Sequence, residues 1–316
     1  MARRLDIPDL VEKARRGEPL AVSRLISLIE SDGPGLREVA AALAPHTGRA
    51  HVVGLTGPPG VGKSTTTSAL VAALRGAGRR VGVLAVDPSS PFSGGALLGD
   101  RVRMSEHATD EGVFIRSMAT RGHLGGLAWS TPQALRVLDA AGCDVVFVET
   151  VGVGQSEIEI VGLADTTVVL LAPGMGDTGQ AAKAGILEVA DVLAVNKADR
   201  DGAAQTVRDL RRMLTLAPGD GWRPPVVRVI ATQREGVDDL VAALDRHRDW
   251  LDAGGERERR RLARAEAEIE AITLDQLRAR LGDIRGAAGL PEMAKRVLAG
   301  EMDPYRAADE LAAGLA

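Results

Sequence analysis

At 316 residues, with 45% hydrophobic and 26% charged positions, the chain can bury a full α/β core without disulfide or metal staples. A net charge of -4 gives no global attraction to polyanions, so no nucleic-acid and no membrane partner is expected. The single cysteine, Cys143, excludes an intrachain disulfide and a cysteine-pair metal site; no run approaches the roughly 20 apolar residues that cross a bilayer, and the expected location is the cytoplasm.

In chain order, apolar residues first recur at helical spacing: Leu10, Val11 and Ala14, then Val22, Leu25, Ile26 and Ile29. They predict an N-terminal helical extension over residues 1–46. From 47 to 252 the pattern changes to short runs, HVVGLT, VGVLAVD, GVFIRSM, DVVFVET, TTVVLLA, DVLAVNK and VVRVIA, apolar at nearly every position and joined by helix-length connections. Such runs predict an α/β fold with a mainly parallel central sheet flanked by helices. Over 253–316 the chain turns rich in Glu and Arg, with Leu262, Ala265, Ile269 and Ile272 forming a narrow seam on one predicted helix. That C-terminal helical segment could either self-associate or pack on its own nucleotide domain.

Gly57-Pro58-Pro59-Gly60-Val61-Gly62-Lys63-Ser64 fits G-x-x-x-x-G-K-[ST], placed after a strand-like run and before the helix-like TTTSALVAAL that opens at Thr65. Glycines there let backbone N–H groups curl around phosphate oxygens. Lys63 can reach the β and γ phosphates, and the Ser64 hydroxyl can ligate Mg2+. The fold expected is thus a P-loop NTPase with N- and C-terminal helical extensions.

Asn196-Lys197-Ala198-Asp199 closes a later strand and fits the N-K-x-D guanine reader. A carboxylate at Asp199 accepts from guanine N1–H and the exocyclic amine, whereas adenine N1 is an acceptor and leaves the acid unpaired. Ala231 and Thr232, ending VVRVIA, would offer backbone groups to the guanine carbonyl, so GTP and GDP are the expected ligands. Asp87, Asp100 and Glu149 are the candidate acids for the metal and its waters, alongside Ser64. Gly152 follows Glu149 as an E-x-x-G form of the D-x-x-G switch, its N–H aimed at the γ-phosphate, which makes Lys63, Glu149 and Gly152 the catalytic candidates.

With these residues assembled, the chain resembles the MeaB-like GTPases. GLTGPPGVGKST, VLAVDPSSP, LLGDRVRM, VFIRSMATRGHLGGL, VVFVETVGVGQSE, LLAPGMGD and LEVADVLAVNKAD carry the likeness in order from Gly54 to Asp199. The resemblance implies a homodimeric GTPase that binds adenosylcobalamin-dependent methylmalonyl-CoA mutase, gates loading of its cofactor and helps release inactivated cofactor. It also implies switch segments near Asp87 to Met104 and Glu149 to Glu157, and a third mobile segment near Pro173 to Lys183. Three departures stand out: PFSGG at Pro91 to Gly95, Asp177-Thr178-Gly179-Gln180 in the third segment, and Ile230 where a Ser usually precedes the guanine-contacting Ala. Four readings stay open beside this one: a metal-delivery GTPase, an amino-acid transport-associated kinase or ATPase, a non-catalytic GTP-binding module, and a GTPase serving a different cobalamin-dependent mutase. No residue is assigned to positioning the attacking water, Gln155 being only an inviting candidate.

Overall fold

A computed structural model describes residues 6–31, 35–87, 104–107, 109–119, 130–150, 160–174, 189–216, 221–281 and 289–315. Each of the seven apolar runs supplies a strand: β1 His51–Thr56, β2 Val81–Asp87, β3 Val113–Ala119, β4 Val145–Thr150, β5 Thr166–Leu171, β6 Val192–Val195 and β7 Val226–Arg228. They form one parallel sheet in the order β3-β2-β4-β1-β5-β6-β7. The central strand β1 is paired with β4 on one side and β5 on the other, and β5 along its length and β4 from Val145 to Glu149 are buried, for the same reason they read as unbroken apolar runs.

Helices cover both faces. The first three are α1 Ile7–Arg15, α2 Pro19–Glu30 and α3 Leu36–Leu43; α4 Lys63–Gly76 follows β1 and α5 Thr131–Ala140 precedes β4. Further on come α6 Ala203–Leu216 and α7 Val237–Ala253. On one face Leu70 and Leu74 of α4 and Leu240 and Leu244 of α7 share a core with Val53, Leu55, Val145 and Phe147. On the other, α1, α2, α3 and α5 bury Leu25, Ile26, Leu43 and Leu138 against Leu84, Val86, Val146 and Val148. The N-terminal helices are therefore a wall of the core, and each fully buried Leu or Ile there contributes about 1.5–3 kcal/mol. Gly54 belongs to this second face, where a Cβ would lie 2.7 Å from Ile160 Cγ1, so the close approach of the chain at Ile160 requires glycine.

The chain divides into two compact units, residues 1–257 and 258–316. The second comprises most of α8, Glu256–Leu281, with α9 Leu290–Leu298 and α10 Pro304–Leu315. Within it α9 and α10 are linked by Arg296 to Glu310 at 3.3 Å, while Leu262, Ile269, Leu274 and Leu277 of α8 are exposed. Among the described residues no helix is long and apolar enough to cross a membrane.

Because the strands are parallel, their carboxyl ends share one edge. The loop after β1, Glu149 in β4, Asn196 after β6 and Ala231 after β7 all lie there, the edge at which open α/β sheets bind ligands.

Candidate nucleotide site

The loop between β1 and α4 turns on glycine. Gly57 has φ +141° and a Cβ there would fall on the Leu170 carbonyl; Gly62 has φ +97° and its Cβ would fall on the Asn196 amide. Pro58 is half-buried, Pro59 and Gly60 are exposed, and Val61 is fully buried as the anchor of the loop. Lys63 is 7% exposed, and its ammonium donates to the carbonyls of Gly57 at 2.7 Å and Pro58 at 3.3 Å. A cation and the positive amino end of α4 thus converge inside one loop, with Thr65 exposed on the first turn of the helix.

Register brings the acid to this loop. Leu55 of β1 is paired with Glu149 of β4, one residue before the strand gives way to the loop. Ser64 Oγ donates to Glu149 Oε1 at 2.5 Å, and Thr67 Oγ1 lies 3.3 Å from Oε2 and 3.0 Å from the Lys63 carbonyl. Thr67 was not among the residues singled out from sequence. Its signal is spacing, for it follows Ser64 by three and Lys63 by four and so shares their helix face. Asp87 closes β2 at the same edge, while Asp100, Gly152, Gln155 and the Pro91–Gly95 and Asp177–Gln180 departures lie outside the described residues.

The N-K-x-D turn is tied to the phosphate loop directly. Asn196, 3% exposed, donates from Nδ2 to the Val61 carbonyl at 2.9 Å and accepts at Oδ1 from the Ala231 N–H at 3.1 Å. Lys197 holds the left-handed conformation at φ +55° and donates to the Gly60 carbonyl at 2.6 Å. A non-glycine residue in that region marks a turn over-determined by its surroundings. Asp199 is left exposed at the rim; Ala231 is buried and Thr232 exposed in a short turn, Ala231–Gln233. One helical turn beyond Ser64, Ser68 donates to Glu106, which also accepts from Arg234 at 3.1 Å, so a further acid joins α4 to the turn containing Ala231. The Ser68 hydrogen bond is the main cause that holds the Glu106 carboxyl below its usual range. The edge therefore offers an amide-lined loop, a buried ammonium, a carboxylate-hydroxyl pair and an exposed carboxylate at the rim.

Residues 22–284 match the family model described as methylmalonyl Co-A mutase-associated GTPase MeaB. The chain belongs to the MeaB family of GTPases. A Pyrococcus abyssi protein carrying a GTPase name is 48% identical to this MeaB-family member over 307 residues, spanning 96% of this chain and 95% of its own length. GTPase ArgK of Escherichia coli is 37% identical over 81% of the chain and 80% of its own, and the mouse protein named methylmalonic aciduria type A homolog, mitochondrial, is 35% identical over 94% and 76%. A crystal structure described as an LAO/AO transport system kinase superposes with a TM-score of 0.76 at 26% identity, covering 100% of this chain and 99% of its own. This MeaB-family GTPase is thus a P-loop NTPase, as the resemblance implied.

Proposed function

We propose that this GTPase converts GTP to GDP and phosphate at the carboxyl edge of the sheet and acts as a chaperone of adenosylcobalamin-dependent methylmalonyl-CoA mutase, gating cofactor loading and protecting or reactivating the mutase. The observation that carries the nucleotide reading is the grip of Asn196 and Lys197 on the Val61 and Gly60 carbonyls, which holds base-side and phosphate-side groups in one rigid frame. In this reading the amides of Gly57 to Thr65 cradle the phosphates, and Lys63 exchanges its two loop carbonyls for β- and γ-phosphate oxygens as GTP enters. Asp199 accepts from guanine, with the Ala231 and Thr232 backbone at the base carbonyl and the Gly152 N–H at the γ-phosphate. Ser64 and Glu149, two hard oxygen donors already in contact, fit Mg2+, with Asp87 and Asp100 as the further candidates; the bound ion would neutralise charge on the β and γ phosphates. Preorganised N–H groups and Lys63 stabilise the charge that develops as water attacks in line.

The mutase role rests on the name of the family and of the mouse relative. The exposed Leu262, Ile269, Leu274 and Leu277 of α8 support a homodimer formed through that helix. The test is GTP hydrolysis, with ATP as control, with and without a purified adenosylcobalamin-dependent mutase from the same organism, and in Lys63→Ala. Slow GTP-selective turnover that the mutase accelerates and the variant lacks is expected. Equal use of ATP removes the guanine-reader assignment, and GTP turnover indifferent to the mutase removes the chaperone role.

A further inference from the structure

The amino edge of the sheet, the end away from the nucleotide loop, carries a second concavity. The close of α1, the close of α5, the starts of β1 and β4 and Arg248 of α7 enclose a cavity of about 550 Å3, within the range that small-molecule ligands occupy. β1 is six residues long, so roughly 20 Å of strand separates this cavity from the phosphate loop.

Four guanidinium groups and three carboxylates line it, and the carboxylates are already engaged. Asp139 is taken up by the N–H groups of Gly48, Arg49 and Ala50, the last at 2.9 Å; Asp144 accepts the Arg80 N–H at 2.7 Å; Glu12 is paired with Arg15. Arg248 is shared with Asp245 at 3.4 Å and Asp249 at 3.6 Å. Arg16 and Arg49 line the cavity, and their guanidinium groups have no partner among the described residues. Guanidinium forks left unpaired around a concavity suit planar or tetrahedral oxyanions.

The cavity also has a buried polar feature. His51, 3% exposed, lines it, with Nε2 held 2.7 Å from Thr166 Oγ1. That hydroxyl lies 2.8 Å from His247 Nδ1, and His247 Nε2 lies 3.2 Å from Asp191 Oδ1, off the angle of a full hydrogen bond. The Thr166 hydroxyl thus bridges the two imidazoles. His51 Nδ1 has no partner among the described residues.

We propose that this cavity is a second ligand site, for a small metabolite bearing a phosphate or carboxylate group, held by Arg16 and Arg49 beside the buried His51. A cavity, rather than a flat basic patch, favours a small molecule over a macromolecular polyanion. The test uses the full chain with its nucleotide site filled by GDP and magnesium, titrated calorimetrically with inorganic phosphate and, separately, with succinate, in the parent protein and in an Arg16→Gln, Arg49→Gln double variant. Saturable binding of at least one probe is expected, weakened at least about tenfold in the variant while GDP affinity stays unchanged. The probe that binds identifies the oxyanion class. Both side chains are exposed and have no partner among the described residues, so unchanged GDP affinity verifies the fold of the variant. No saturable binding of either anion, or equal binding by the double variant, overturns the proposal.

Discussion

Replacing Asn196 with Ala should destabilise the protein even when no nucleotide is bound. Among the described residues the Asn196 amide is the only side-chain partner of two buried backbone groups, the Val61 carbonyl at 2.9 Å and the Ala231 N–H at 3.1 Å, which belong to different ends of the site. Leaving a buried donor or acceptor unsatisfied costs about 1–3 kcal/mol, so two sum to about 2–6 kcal/mol, with the lower half expected if water enters the space the amide leaves. A second substitution isolates the contact. Gly62→Ala alone drives a methyl group into the Asn196 amide in addition to straining a residue at φ +97°. In the Asn196→Ala background the methyl has nothing to strike and only the strain remains, so the two costs should be non-additive by about 0.5–3 kcal/mol. Urea denaturation of the nucleotide-free parent, both single variants and the double variant measures this cycle. If Asn196→Ala left nucleotide-free stability unchanged and only weakened GTP binding, or if the two substitutions were additive, the bridge would be no part of the folded scaffold and the reasoning would fail.

Three further outcomes follow from groups described above or buried beside them. Burial lowers the His51 pKa to about 3, against roughly 6.5 in an unfolded chain, so the unfolded state binds the extra proton between those values and stability should fall as pH drops from about 6.5 towards 3, by up to about 1.4 kcal/mol per pH unit; chemical denaturation from pH 7.5 to 4.5 measures that slope, and its absence refutes a buried neutral His51. Burial pushes the Cys143 thiol up to about 12, so a maleimide at pH 8 should label it only as fast as the protein opens, and sub-denaturing urea should accelerate labelling. Gly54→Ala would press its methyl against Ile160 and Ala164 and should cost about 1–3 kcal/mol, read from the urea midpoint, whereas a neutral result would mean that the Ile160 turn moves freely away from β1.

Strands were legible because a doubly covered parallel sheet writes itself as unbroken β-branched runs, and each of the seven runs became a strand. Their lateral order was not, since nothing local in HVVGLT specifies that its neighbours are DVVFVET and TTVVLLA. The N-terminal helices were visible through Leu10, Val22, Leu25 and Ile26, yet spacing could not say that these residues wall one face of the sheet. At the site, the glycines, Lys63 and Asn196 were found because their chemistry demands fixed residue types at fixed intervals. Thr67 and Glu106 escaped because a hydroxyl and an acid on or near a helix look the same whether they face solvent or a partner distant in sequence. The bond from Asn196 to Val61 was equally invisible, being a consequence of how β1 and β6 are brought to one edge.

The position of β1 in the sheet has a consequence for synthesis. Its lateral neighbours are strands made roughly a hundred residues later, as the pairings of His51 with Val145 and Val53 with Thr166 record. While the ribosome is still producing β2 and β3, the phosphate loop has neither the Glu149 carboxylate beside it nor a flanking strand to hold it open. Closing such distant pairs is entropically slow, and the apolar edges of β1 stay unsheltered in the interval. The phosphate loop of a nascent chain thus gains its flanking strands only as the second half emerges, and on the proposed function nucleotide capture would report that the sheet has closed around its oldest strand.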